Sequence, residues 1–229
     1  MPAALPQAGA AGGARVIAVA SGKGGVGKTW LAVTLSHALA LAGRLPVAEA
    51  ARRHPGTGLD VLAGCSGSGA LAGLGDAAHR RLLEALRESD PRWEDVVLDL
   101  GAGLDRGVRA LAAASDILLV VATGEPTSLT DAYAVLKLHR RDRPGGDARL
   151  VVNQAPDRAA GERTWRSLDR ACGSFLGGGV PLAGVLRRDP RVPEAIRRQT
   201  AFLSRHPTAP LASEVAALRG SLGAGLGQG

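Results

Sequence analysis

Lys23 and Lys28 stand five residues apart in the run SGKGGVGKTW, residues 21–30. The chain holds 28 lysines and arginines together, yet only Lys23, Lys28 and Lys137 are lysines. Arginine serves nearly everywhere that a surface cation is wanted. Two of the three lysines in one glycine-rich loop therefore point to chemistry that arginine does poorly. A compact ammonium on a flexible stem meets a phosphate as a point charge, whereas a planar guanidinium binds as a rigid fork. Residues 22–29 read G-x-x-x-x-G-K-T, the spacing of a phosphate-binding loop. Glycines let backbone N–H groups converge on an anion without Cβ clashes. Lys28 has the reach for β- and γ-phosphates, and the Thr29 hydroxyl can ligate Mg²⁺. An ordinary glycine-rich turn is the competing reading, and it leaves the two rare lysines unexplained.

Such a loop needs a strand before it and a helix after it. Residues 15–20, RVIAVA, form a short apolar run that reads as a buried strand. Residues 31–42, LAVTLSHALALA, read as a helix stopped by Gly43. The helix N-terminus adds unpaired donors and a favourable dipole to the site. Further apolar runs at 96–100, 117–123 and 150–153 read as strands, with a weaker one at 182–186. Helices are expected after residue 124, over 157–176, and as short pieces at 192–198 and 212–218. Ser128 and Asp131 have the spacing of a capping box. Continuously apolar strands alternating with helices predict a three-layer α/β sandwich, a mostly parallel sheet covered on both faces. Asp99 ends one apolar run, where a carboxylate faces the ligand crevice and can hold Mg²⁺ through water. Gly101 and Gly103 follow it as a switch-like loop. Trp30 is compatible with simple core packing.

The string KGGVGKT resembles the deviant Walker A motif of the MinD/ParA/Mrp class of P-loop ATPases. Further segments, LDLGAGLDRGV, VVATGEPTSLTDAYAVLK, VVN and LRRDPRVPEAIRRQTAFLSRHP, resemble the FlhG/FleN branch of that class. The resemblance runs over residues 14–220. It implies an ATP-dependent molecular switch that dimerises on ATP and controls flagellar number and placement. It implies further that Lys23 is the signature lysine reaching a partner's nucleotide, and that Lys28 and Asp99 complete the catalytic set. The nucleotide would lie on Gly22, Lys23, Gly24, Gly25, Val26, Gly27, Lys28, Thr29 and Trp30, with Mg²⁺ on Thr29 and Asp99. Asn153 would recognise the adenine edge, for which its amide has both a donor and an acceptor.

One family segment is missing. Relatives continue after the first helix with a strand ending in D-x-D, the switch I element that positions the attacking water. Here the text runs RLPVAEAARRHPGTGLDVLAG, and its later part resembles family sequence downstream of switch I. About 35–40 residues, the size of a strand–helix unit, are absent from this position. The expected sheet thus lacks a strand beside the loop-bearing strand. Glu49 is the nearby acid, but AEAARRH reads as helix rather than as a strand end.

Composition bounds the rest. The 229 residues, 45% hydrophobic and 21% charged, suit one well-buried domain. That domain is expected over 15–220, with flexible tails at 1–14 and 221–229. No apolar run approaches the roughly 18–20 residues of a membrane span, and the first residues lack a signal-peptide pattern. The C-terminal stretch is glycine-broken and weakly basic, which argues against a stable membrane anchor and leaves a cytoplasmic protein with at most transient contact with the inner membrane. Cys65 and Cys172 match no metal or disulfide spacing and read as small packing residues. The net charge of +7 is spread in ones and twos, without the stripe that nucleic acid requires.

Three readings follow: a FlhG-like ATPase switch with flagellar or polar-localisation partners, a nucleotide-binding scaffold without ATPase activity, and a ParA-like DNA-partitioning ATPase carried by charge alone. Binding parts are all present, whereas the water-positioning acid is not. Turnover should therefore lie about 10²–10³ below that of relatives holding switch I. Single-turnover phosphate release on the native chain and Glu49→Ala checks this. A native rate equal to intact relatives refutes it, and a collapse in Glu49→Ala shows that Glu49 has replaced the lost acid.

Overall fold

The computed structural model describes residues 14–40, 52–62, 76–88 and 94–223. In chain order its elements are β1 (Arg15–Ser21), α1 (Lys28–Ala40), the short strands β2 (Arg52–Arg53) and β3 (Asp60–Val61), α2 (Asp76–Glu88), β4 (Asp95–Ala102), α3 (Arg106–Ala114), β5 (Ile117–Ala122), α4 (Pro126–Asp142), β6 (Asp147–Ala155), α5 (Arg158–Leu176), β7 (Leu182–Arg187), α6 (Arg191–Arg197), α7 (Phe202–Arg205) and α8 (Pro210–Gly223). The main sheet runs β4-β1-β5-β6-β7, and every pairing in it is parallel.

Successive side chains of a strand point to opposite faces, so each apolar strand feeds two cores. Ile17, Val19, Leu119, Val121 and Val151 pack with Leu31 and Leu35 of α1, Phe202 of α7 and Val215 and Leu218 of α8. Val16, Ala18, Leu118, Val120, Leu150 and Val152 pack with Leu83 and Leu86 of α2, Leu111 of α3, Leu136 of α4 and Leu168 of α5. This is the expected three-layer sandwich. Cys172 lies wholly in the second core, where burial pushes its thiol pKa up; Cys65 lies outside the described residues.

Arginines tie the layers together. Arg87 of α2 grips Asp116 through two nitrogens, at 2.8 and 3.0 Å. Arg109 of α3 grips Asp142 of α4 at 2.7 Å through each of two nitrogens. At the end of α8, Arg15 donates to the Leu222 carbonyl and Arg149 to that of Ser221, both at 2.6 Å. The last helix runs to Gly223, with Leu222 buried.

At several points the structure departs from the local sequence pattern. β1 is flanked by β4 and β5, so both of its hydrogen-bonding edges are used. A missing unit leaves no gap beside β1, and among the described residues β4 is the outer strand. Arg52 and Arg53 are not helical: they pair antiparallel with Val61 and Asp60. The reason is the PGTG turn that follows, closed by the His54 N–H on the Leu59 carbonyl at 2.7 Å. Glu49 lies outside the described residues. Ser128 is no N-cap, because α4 begins at Pro126 with Glu125 in the cap position. The Ser128 hydroxyl instead accepts from the Thr123 N–H at 3.0 Å. Three helices add to those expected from the sequence: α2, α3 and the short α7. The buried His79, Leu83 and Leu86 of α2 have the helical spacing that signals it.

His139 of α4 is buried, and neither ring nitrogen has a hydrogen-bond partner. Burial, and then the Arg143 and Arg140 charges, push its pKa down from 6.5 to about 4, against the opposing pull of Asp142 and Asp147. The folded protein thus refuses a proton that the unfolded chain accepts between those values. Stability should be complete above pH 6.5 and fall as the pH drops towards 4, by up to roughly 3 kcal/mol. Urea unfolding of the wild type and His139→Leu at pH 7.5, 5.5 and 4.5 tests this. The variant should lose much of the slope, and equal slopes would refute the assignment.

Candidate functional site

All five strands of the main sheet are parallel, so their C-terminal ends share one edge. Ligands of open α/β sheets bind outside that edge. The loop 22–27 leaves β1 there and opens directly into α1 at Lys28. Gly25 and Gly27 have φ of +80° and +85°, a left-handed backbone that a side chain would strain. Gly22 is required for another reason. A Cβ there would lie 2.4 Å from Asp131 Cβ and 2.8 Å from its backbone, since α4 packs against the loop. Lys28 is half-buried and Thr29 exposed at the start of α1, where the first N–H groups of a helix lack intrahelical partners. Trp30 packs edge-on against Phe202 at a centroid distance of 5.9 Å. Its indole is therefore part of the core beneath α1, the packing role that the sequence allowed.

Asp99 is exposed on β4, level with Val19 of β1. β4 continues to Ala102, with an irregular register after Val19, so Asp99 precedes the strand end by three residues. Its carboxylate and the Thr29 hydroxyl are hard oxygen donors at one end of the sheet, the donor type that Mg²⁺ takes.

Lys23 turns away from its own loop. Its Nζ lies 2.6 Å from Glu125 Oε2 and 3.0 Å from Thr127 Oγ1. These are the E and T of the GEPTSLTDAY string, so that string now has physical content. Glu125 and Thr127 hold the lysine, Ser128 takes the Thr123 N–H, and Asp131 backs onto Gly22.

Asn153 is buried under the loop. Its Nδ2 donates to the Val26 carbonyl at 2.9 Å. Gln154, which the sequence did not single out, donates from Nε2 to the Gly25 carbonyl at 3.2 Å. Its φ of +57° aims it there, and no local pattern signals that conformation for a glutamine. Beside these residues a cleft of about 200 Å³ opens past β6 and β7. Pro156, Arg187, Arg188, Asp189, Pro190 and Leu211 line it. Asp189 is engaged by Arg191 through two nitrogens, at 2.8 and 2.6 Å, which holds its carboxyl below the usual range. The arrangement offers a cationic loop, two oxygen donors and an adjoining cleft, which together suit a nucleoside polyphosphate.

Residues 17–47 match the CobQ/CobB/MinD/ParA nucleotide binding domain. The maintenance of carboxysome distribution protein A of Gloeobacter kilaueensis is 35% identical over 65% of this chain and 67% of its own length. The chain belongs to the MinD/ParA family. The antiactivator FleN of Pseudomonas aeruginosa is 28% identical over 89% of this chain and 84% of its own, so this is a FleN-like member. Among solved structures, the septum site-determining protein MinD of Pyrococcus horikoshii in complex with Mg-ADP superposes with a TM-score of 0.69. It is 18% identical and covers 91% of this chain and 96% of that one. Members of the MinD/ParA family are P-loop ATPases. No helix among the described residues is long and apolar enough to cross a membrane.

The Lys23 ammonium, first through its hydrogen bond and then through its charge, lowers the pKa of Glu125. A carboxylate lowered in this way keeps its pair at neutral pH and loses it as the pH falls through the lowered pKa. Lys23→Ala should move the Glu125 midpoint upward, read from its side-chain carboxyl carbon by NMR. An unmoved midpoint would show that the two do not pair in solution.

Proposed function

We propose that this protein is an ATP-binding switch of FlhG type, which pairs two copies on ATP, hydrolyses it slowly and regulates flagellar number or placement through polar or flagellar partners. The observation that carries the reading is the loop 22–27 running into α1, with Lys28 and Thr29 at the helix N-terminus and Asp99 on the same sheet edge. Lys28 neutralises the β- and γ-phosphates, and the loop amides with the α1 N-terminus receive the phosphate oxygens. Thr29 and Asp99 would hold Mg²⁺, which would offset the phosphate charge. The cleft beside Pro156 and Arg188 receives the base.

The flagellar assignment rests on the likeness to FleN, an antiactivator by its name. A second reading has its own support. Lys23 is held in cis by Glu125 and Thr127, and the D-x-D segment is missing from the sequence. Both favour a nucleotide-binding scaffold that works by occupancy alone, without turnover.

Calorimetry and sedimentation separate the parts. Lys28→Ala should abolish Mg·ATP and Mg·ADP binding in a folded protein. Lys23→Ala should leave ATP binding within a few-fold while preventing an ATP-dependent shift from monomer to dimer. Equal affinity of wild type and Lys28→Ala ends the nucleotide reading. An oligomer that ignores nucleotide ends the trans role of Lys23.

A further inference from the structure

We propose that Asn153 and Gln154 are positioning residues of the phosphate-binding loop, which set its peptide planes; this rests on the nucleotide-binding reading above. The loop carbonyls are taken up one after another. The Ser21 hydroxyl donates to the Lys23 carbonyl at 2.8 Å. Gln154 Nε2 donates to the Gly25 carbonyl at 3.2 Å, and Asn153 Nδ2 to the Val26 carbonyl at 2.9 Å. The Leu31 N–H takes the Gly27 carbonyl at 2.9 Å and so starts α1. Four of five successive carbonyls, from Lys23 to Gly27, are thus tied down.

In a planar trans peptide the C=O and the following N–H point in opposite directions. Fixing the carbonyls of Gly25 and Val26 towards β6 therefore turns the N–H groups of Val26 and Gly27 away from it. Those are amides that an anion needs, and without the two side-chain donors nothing local keeps glycine-flanked peptides from rotating. A carbonyl oxygen only accepts, so each side chain must present its NH₂ group there.

Burial and space assign the same role. Asn153 is 4% exposed, and its NH₂ is wedged beneath the loop. A Cβ on Gly27 would lie 2.4 Å from Asn153 Nδ2 and 3.7 Å from Gln154 Nε2. The missing side chain of Gly27 is what allows both amides to approach. The left-handed φ of Gln154 is an uncommon conformation for a residue with a Cβ. The chain holds it where it aims a second donor at the loop.

Loop positioning and base reading differ in what a ligand without a base would report. Binding of ATP, GTP and inorganic tripolyphosphate is measured by calorimetry on wild type, Asn153→Ala and Gln154→Gly, the latter keeping the backbone while deleting the donor. Asn153→Ala should weaken all three ligands by a similar factor, about tenfold or more for a lost buried hydrogen bond. Gln154→Gly should act in the same direction but less. Nitrogen-15 order parameters of the ligand-free variants should fall at residues 24–28 and hold elsewhere, which a global loss of stability would not produce. Weakened ATP with unchanged tripolyphosphate makes Asn153 a base reader and overturns the proposal. If folded wild type binds none of the ligands, the nucleotide reading fails by itself. The order parameters then decide: unchanged values at 24–28 overturn the positioning role.

Discussion

The site depends on the orientation of a few peptide planes. A loop that is to receive phosphate must aim successive amides at one point, and glycine-rich backbone does not hold such an arrangement unaided. Here the opposite ends of the peptides are held: Ser21, Gln154 and Asn153 take loop carbonyls, and α1 takes the next. Much of the surrounding architecture follows from that requirement. β6 extends to Ala155, which brings Asn153 and Gln154 beneath the loop, and α4 lies close enough that Gly22 admits no Cβ.

The same constraint explains why polar side chains lie in this part of the core. Buried polar groups are costly unless paired. Ser21, Ser128 and Asn153 are each at most 4% exposed, and each has a hydrogen bond to backbone. They form the supports of the loop and of the α4 entrance. Where pairing fails, at both nitrogens of His139, the group stays neutral through the physiological range, and the cost appears on acidification.

Electrostatics at the mouth of the site is arranged around Lys23. Thr29 and Asp99 face outward, whereas Lys23 is drawn across to Glu125. The pair is exposed, and exposed ion pairs contribute little to stability, so a competing anion faces only a small barrier to releasing this lysine. Lys23 can therefore be held in cis without being committed there.

Local pattern in the sequence determined a good deal. The glycine-rich loop between β1 and α1 was legible because its glycines stand at fixed spacing between two apolar runs. The five sheet strands and the two-faced burial were legible because continuous apolar runs allow few other arrangements. α2 was legible in principle, through the spacing of His79, Leu83 and Leu86. Tertiary structure decided what those parts touch. The partner of Lys23 is 102 residues away and that of Asn153 is 127 residues away. Ser128 and Asp131 had the spacing of a cap but serve Thr123 and the space at Gly22. The neighbours of β1 likewise came from sheet order. The reason is physical: residue periodicity specifies which face of an element is buried, but not which element covers it. Contacts between distant segments are set only when the layers pack, and there a few ångströms decide which loop carbonyl an amide reaches.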